Sequence, residues 1–143
     1  MWGLILAMLS GALMSVQGVF NTEVTKQSGI WTAAGFVQLT AFLYCVAAWF
    51  MSGREKGIEA IFRTEPKYML LGGVMGALIT YTVIRSMDSL GPAAAVMIIV
   101  ITQLLVAYLI EVFGLFGVEK AGFEWRKAVG AAVAVAGIWL FKK

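Results

Sequence analysis

A set of four amide and phenol side chains, each from a different apolar stretch of the sequence, could bind a small organic solute. The set consists of Gln17, Gln38, Tyr81 and Gln103. Hydrocarbon offers such groups no hydrogen-bond partner, so they usually face a helix-bundle interior or a wet cavity. A cavity lined by them suits a neutral, zwitterionic or amphiphilic solute. The alternative is that each only joins neighbouring helices, by a hydrogen bond worth about 0.6–2 kcal/mol.

Glu111 is the only acidic residue well inside an apolar stretch. A carboxyl group at membrane depth can couple the movement of a solute to that of protons. The alternative is an ion pair with Arg126 or Lys127, which begin the next apolar stretch. A second pair is expected between Arg85 and Asp88, because side chains three residues apart are neighbours on a helix.

The residue inventory excludes most catalytic chemistry. The chain has no histidine and a single cysteine, Cys45. It therefore cannot form an internal disulfide, a Cys/His zinc site, a Ser-His-Asp triad or a Cys-His pair. Its glycines match no phosphate-binding loop. We expect neither an enzyme nor a bound cofactor or metal. The net charge of +3 comes from basic residues beside apolar stretches, which fits lipid headgroups rather than nucleic acid.

The composition is that of an all-α integral membrane protein. Of the 143 residues, 61% are hydrophobic and 13% are charged, and the mean hydropathy is +0.88. Soluble domains are about half apolar and about a quarter charged. We predict a single membrane domain, residues 1–143, with five transmembrane helices at about 2–20, 30–51, 68–87, 92–113 and 125–141. Residues 21–29 are predicted to be a polar link between the first two.

The fifth predicted span has small residues along one face: Gly130, Ala134 and Gly137. Small residues let helix backbones approach closely in lipid. The predicted contact could lie within one subunit or between two subunits.

Basic residues assign the two membrane sides only weakly. With five spans, the N-terminal side carries Arg54, Lys56, Arg63, Lys67, Lys120, Arg126 and Lys127, and the opposite side carries Lys26, Arg85, Lys142 and Lys143. If the protein has a single orientation, this excess predicts a cytoplasmic N-terminus. A weak bias also allows two copies to insert in opposite directions. Such a pair would have the symmetry of the inverted repeats found in transporters.

Three segments resemble the YdcZ-type family of bacterial inner-membrane proteins, which belongs to the drug/metabolite transporter superfamily. They are MSVQGVFNTEV, GGVMGALITY and TQLLVAYLIEVFGLFG. The last is the most specific, since FGLFG follows two residues after an acid, Glu111. The resemblance covers nearly the whole chain. It implies that this chain is a five-helix half of a ten-helix inverted-repeat transporter. The second half would be another copy, because small members of the superfamily work as antiparallel dimers.

One departure limits what the resemblance implies. Small multidrug-resistance relatives carry a glutamate in the middle of the first helix, where a proton and a cation compete. The nearest polar group in this chain is Gln17. The resemblance therefore does not imply competition at a central carboxylate.

The sequence thus predicts a secondary transporter of the bacterial inner membrane. It is expected to export a small organic or amphiphilic solute. Its working form is predicted to be an antiparallel dual-topology homodimer with a cavity between the subunits. The alternative is a non-transporting membrane scaffold or a subunit of a heteromeric transporter, which small-residue stripes would serve equally well. A solute that raises thermal stability would favour the transporter, because ligands that bind the folded state stabilise it.

Overall fold

The computed structural model describes residues 1–53, 57 and 59–141, and all regular structure within them is helical. The α-helices are α1 (Trp2–Ser28), α2 (Ile30–Met51), α3 (Glu59–Phe62), α4 (Gly72–Leu90), α5 (Pro92–Phe113) and α6 (Trp125–Phe141). Short 3₁₀ turns span Lys67–Leu71 and Leu115–Gly117. The predicted all-helical class is confirmed.

Four stretches among the described residues are long and apolar enough to cross a bilayer. They are Trp2–Ser28, Ile30–Met51, Lys67–Leu90 and Pro92–Phe113. The last helix, α6, is apolar but has 17 residues. At 1.5 Å per residue it is about 26 Å long, slightly less than the ~30 Å of a typical hydrocarbon core. A fifth span at α6 stays a prediction.

The polar link predicted for residues 21–29 is wrong, because α1 continues without interruption to Ser28. Its polar side chains find partners along the helix itself. The Thr22 hydroxyl donates to the Gly18 carbonyl at 2.8 Å, and Lys26 pairs with Glu23 at 2.6 Å. Local bonds of this kind let polar residues stay helical.

Single glycines connect two successive pairs of helices. Gly29 joins α1 to α2 with φ 83° and ψ 154°, and Gly91 joins α4 to α5 with φ 79° and ψ 156°. This backbone region is open to glycine and strained for other residues. The carbonyl of each glycine accepts a hydrogen bond from the following helix, at 3.0 Å from the Ala33 amide and at 3.1 Å from the Ala95 amide. One residue therefore sets each connection.

The chain forms two compact units, Met1–Ser89 and Leu90–Lys143. In the first unit, the buried apolar side chains come from α2 and α4: Ala33, Ala34, Ile84 and Met87. Gly18 of α1 is also buried, and a Cβ there would lie 3.4 Å from a Val83 methyl and closer still to Met87. The absence of a side chain at position 18 therefore leaves room for the Met87 side chain of α4. In the second unit, α5 packs against α6.

Several residues that bear on orientation lie outside the described part of the chain. They are Arg54, Lys56, Lys142 and Lys143. The comparison of basic residues on the two membrane sides depends on them. The cytoplasmic location of the N-terminus therefore stays a prediction.

Candidate functional site

Gln38 lies at the contact between α2 and α4. Its Nε2 donates to the Thr80 hydroxyl at 3.5 Å, the outer limit for such a bond. Thr80 in turn donates to the Gly76 carbonyl at 3.0 Å. Gly76 gives the amide room, since a Cβ there would lie 3.5 Å from Nε2. Gln38 thus joins two helices by a long, weak bond that a competing ligand could replace.

Tyr81 lies on the same helix as Thr80 and forms part of an aromatic stack. Its ring stacks on that of Trp31, with centroids 5.1 Å apart and planes at 20°. The guanidinium carbon of Arg85 lies 5.9 Å from the centroid of the Tyr81 ring. Among the described residues, Arg85 and Asp88 do not come within ion-pair distance, so the predicted direct pair is not formed, although the Asp88 charge acts on Arg85 from farther away. The aromatic ring four residues earlier holds the guanidinium instead.

Gln17 and Gln103 lie on exposed faces of α1 and α5. Neither amide has a hydrogen-bond partner within the described part of the chain. In the first unit, therefore, no hydrogen bond joins Gln17 to Gln38 or Tyr81. Among the described residues, each amide is therefore unsatisfied within its own unit, although each lies within a stretch apolar enough to cross a membrane.

A second polar cluster lies in a cleft of about 400 Å³ between α5 and α6. Its lining consists of Leu104, Ala107, Tyr108, Glu111, Lys127, Gly130 and Ala131. The Lys127 ammonium is 3.2 Å from the Glu111 carboxylate and 3.3 Å from that of Glu124. It also lies 5.9 Å from the centroid of the Tyr108 ring. The ion pair given above as the alternative role of Glu111 is confirmed, and a role in proton coupling stays a prediction.

Tyr108 connects this cluster to the segment that precedes α6. Its hydroxyl donates to the Glu124 carbonyl at 3.1 Å and accepts from the Glu124 amide at 2.9 Å. Sequence reasoning missed both residues. The sequence did contain a pattern that could have indicated them. Tyr108 precedes Glu111 by three residues, and Glu124 precedes Lys127 by the same spacing. Tyr108 and Glu111 therefore share one face of α5, and Glu124, just before α6, lies one turn from Lys127.

The Tyr108→Phe variant is expected to lose both hydrogen bonds to Glu124, with little change in ring packing. At about 0.5–1.5 kcal/mol for each bond, the free energy of unfolding should fall by about 1–3 kcal/mol. Hydrogen exchange at the Glu124 amide should also become faster. The matched control is Tyr44→Phe, which removes a hydroxyl from an exposed tyrosine. Equal unfolding and exchange in the two variants would contradict the role assigned to Tyr108.

The FGLFG segment turns the chain back toward Glu111. Gly114 ends α5 in the left-handed conformation, with φ 66°, and a Cβ there would lie 3.1 Å from that of Lys120. Beyond the turn, the Ala121 amide donates to the Glu111 carbonyl at 2.9 Å. The most specific part of the sequence resemblance thus shapes the backbone around the Glu111 cluster.

The small-residue face of α6 is open in a single chain. A Cβ at Gly130 or Gly137 would meet no described atom within 4 Å, and Ala134 is half-buried. The residue of α6 that is buried is Ala131, at 8% exposure. The predicted close contact at the two glycines is therefore not made within the second unit, and a contact between subunits stays a prediction.

Comparison with known proteins gives one match. A family model described as "Putative inner membrane exporter, YdcZ" matches residues 2–140. The matched range includes both compact units and the FGLFG turn. Searches of curated proteins and of solved structures gave no match.

Proposed function

Because this chain belongs to the YdcZ family of inner-membrane exporters, we propose that it exports a small organic solute as a secondary transporter. The working form is an antiparallel dual-topology homodimer with a cavity between the subunits. The observation that carries the proposal is the pair of unsatisfied amides, Gln17 and Gln103, on exposed faces of long apolar helices.

The energetic argument concerns the cost of leaving those amides in lipid. A polar group without a hydrogen bond costs several kcal/mol in hydrocarbon. In a single chain, no described residue bonds to either side chain. We propose that a second copy around a wet cavity supplies the missing partners. The side chains proposed to line this cavity and bind the solute are Gln17, Gln38, Tyr81 and Gln103.

The open face of α6 supports a second copy as the partner. A neighbouring helix backbone can approach closely at Gly130 and Gly137, where a Cβ would meet nothing within 4 Å. Ala134 lies between them on the same face. We assign this face to the contact between the two subunits.

Glu111 is the proposed site of proton coupling. Its carboxylate holds Lys127 across the α5–α6 cleft at 3.2 Å. Protonation would remove the negative charge and break this pair, while the ammonium would stay with Glu124 at 3.3 Å; the contact between the two helices would then loosen. A proton could in this way change the width of the cleft during transport.

Cysteine labelling tests the dual orientation directly. In a Cys45→Ser background, a single cysteine at Lys143→Cys is treated with a membrane-impermeant maleimide in intact and in permeabilised cells. We expect partial labelling from outside and full labelling only after permeabilisation. A Trp2→Cys variant is the matched control, since with two orientations its site should also be labelled in part from each side.

A single orientation would give a different pattern. One terminus would be fully labelled in intact cells and the other terminus not at all. That result would overturn the antiparallel homodimer. It would favour a partner subunit of opposite orientation or a non-transporting scaffold.

A further inference from the structure

We propose that residues 114–124, which connect α5 to α6, lie in the interfacial layer of the membrane with their apolar side chains against lipid acyl chains. These residues are called the return segment below. The partner of their surface is the boundary between acyl chains and headgroups, where water and polar headgroup atoms are still present. The inference concerns contact with lipid and depends neither on the proposed transport nor on the dimer.

The first argument is the path of the return segment, which doubles back along α5. Its Ala121 amide donates to the Glu111 carbonyl at 2.9 Å. The amide and the carbonyl of Glu124 both bond to the Tyr108 hydroxyl. Tyr108 lies five residues before the end of α5 at Phe113, which is about 8 Å along the helix axis. The return segment therefore ends about 8 Å nearer the middle of α5 than the point at which it begins.

The second argument is the length of the two helices. They pack against each other, and the short connection between them makes them antiparallel neighbours. Helix α6 begins directly after the return segment and has 17 residues. The part of α5 from Pro92 to Tyr108 has 17 residues as well. Helix α6 therefore covers the depth of that part, and the return segment lies beside the last turn of α5.

The third argument concerns the backbone amides of the return segment. Four of them have no hydrogen-bond partner among the residues that the structure describes, namely those of Glu119, Lys120, Gly122 and Phe123. Irregular backbone of this kind does not face the hydrocarbon of a bilayer. The interfacial layer on each side of the hydrocarbon is about 5–8 Å thick, which matches the depth of the return segment. Water and headgroup oxygens in that layer can accept from the free amides.

The fourth argument concerns the apolar side chains of the return segment. Four large ones are exposed: Leu115, Phe116, Val118 and Phe123. They continue the exposed apolar surface of α5, which includes Leu109 and Phe113. The next residue after the segment is Trp125, which is 72% exposed and of a type enriched at membrane–water boundaries. Because the surface is continuous with that of a membrane-crossing helix, we assign lipid as its partner.

Spin labelling of the full-length protein in liposomes of phosphatidylethanolamine and phosphatidylglycerol tests the inference. The variants Val118→Cys and Phe123→Cys, each in a Cys45→Ser background, carry a nitroxide. Its collisions are measured with oxygen, which concentrates among acyl chains, and with a water-soluble nickel chelate present on both sides of the bilayer. We expect the ratio of oxygen to nickel collisions to be several-fold higher in both variants than in the matched control, Glu119→Cys. All three side chains are exposed, so none of these substitutions removes a buried side chain.

Three results would overturn the inference. Equal ratios in the three variants, with frequent nickel collisions in each, would place the return segment in water. Loss of nickel collisions in Glu119→Cys as well would place the whole segment in hydrocarbon. Rare collisions with both reagents in Val118→Cys and Phe123→Cys would mean that protein, such as a second copy of the chain, covers the surface.

A second matched pair keeps the test decisive if one of these variants fails to fold. Leu115→Cys should give the high ratio of the lipid-facing positions, and Lys120→Cys should give the low ratio of the control. The nickel chelate reaches both faces of the bilayer, so the result is the same for one orientation of the protein or two. Failure of this inference is therefore distinguishable from failure of the antiparallel dimer, which the labelling of Lys143→Cys tests separately.

Discussion

Replacement of Gly18 by leucine is expected to destabilise the first unit by about 1–3 kcal/mol, the usual range for an overpacked core. A Cβ at this position would lie 2.8 Å from the Met87 sulfur and would collide with the Met87 methyl. Met87 is only 3% exposed, so a bulky neighbour forces it out of a buried position. The loss would be measured as a fall in the free energy of unfolding of the detergent-solubilised protein.

Two comparisons identify the contact between α1 and α4 as the cause. Gly35→Leu makes the same change in α2, where a Cβ would meet nothing within 4 Å, and should have a much smaller effect. Gly18→Ala combined with Met87→Ala should be tolerated better than Gly18→Leu. Alanine raises helix propensity by about 1 kcal/mol over glycine, and the shortened side chain at position 87 removes the collision. Equal stability of Gly18→Leu and Gly35→Leu would contradict this account.

Glu111→Gln is expected to abolish pH-driven transport while leaving the dimer intact. Glutamine has the shape of glutamate but neither releases a proton nor carries the charge that holds Lys127 at 3.2 Å. The assay uses proteoliposomes with an imposed pH gradient and a solute selected because it raises thermal stability. Chemical cross-linking of the same samples reports the dimer.

The Lys127→Met variant distinguishes a role of Glu111 in proton coupling from a role limited to its ion pair with Lys127. This variant loses the ion pair but keeps the Glu111 carboxyl group, so it should retain part of the pH-driven transport. Pairing alone would instead make Lys127→Met and Glu111→Gln equally defective. If pH-driven transport persists unchanged in Glu111→Gln, the coupling role is wrong and the pair with Lys127 is the structural role that remains.

Hydropathy predicted the helical class and several helix ends, whereas most contacts between helices could not be predicted; the pair of Glu111 with Lys127 is the exception. The helical class followed from hydropathy, and the ends of α2 and α5 agree with the predicted ranges 30–51 and 92–113. The extension of α1 was missed because polar residues were interpreted as a link. Bonds along the helix, such as that from the Thr22 hydroxyl to the Gly18 carbonyl, let such residues stay helical.

The candidate site shows the same limit. Spacing along one helix predicted that Arg85 would pair with Asp88, three residues later. The competing partner was the Tyr81 ring, four residues earlier, which a stack with Trp31 of another helix holds in place. The hydroxyl of Tyr108 likewise finds its partner sixteen residues away, at Glu124. Periodicity within a helix carries no information on such contacts.

The single-glycine connections have a consequence for how the newly made chain enters the bilayer. Because Gly29 and Gly91 are each a whole connection, no hydrophilic loop has to be carried through hydrocarbon when the adjoining helices insert. The free-energy cost of insertion then comes from the flanking charged side chains. Lys26 and Glu23 lie 2.6 Å apart and can enter the bilayer as a pair without net charge. In the proposed dual-topology form, very few charges would therefore decide which way each copy faces. If the proposed two orientations exist, a single charge substitution near either glycine is expected to bias their ratio.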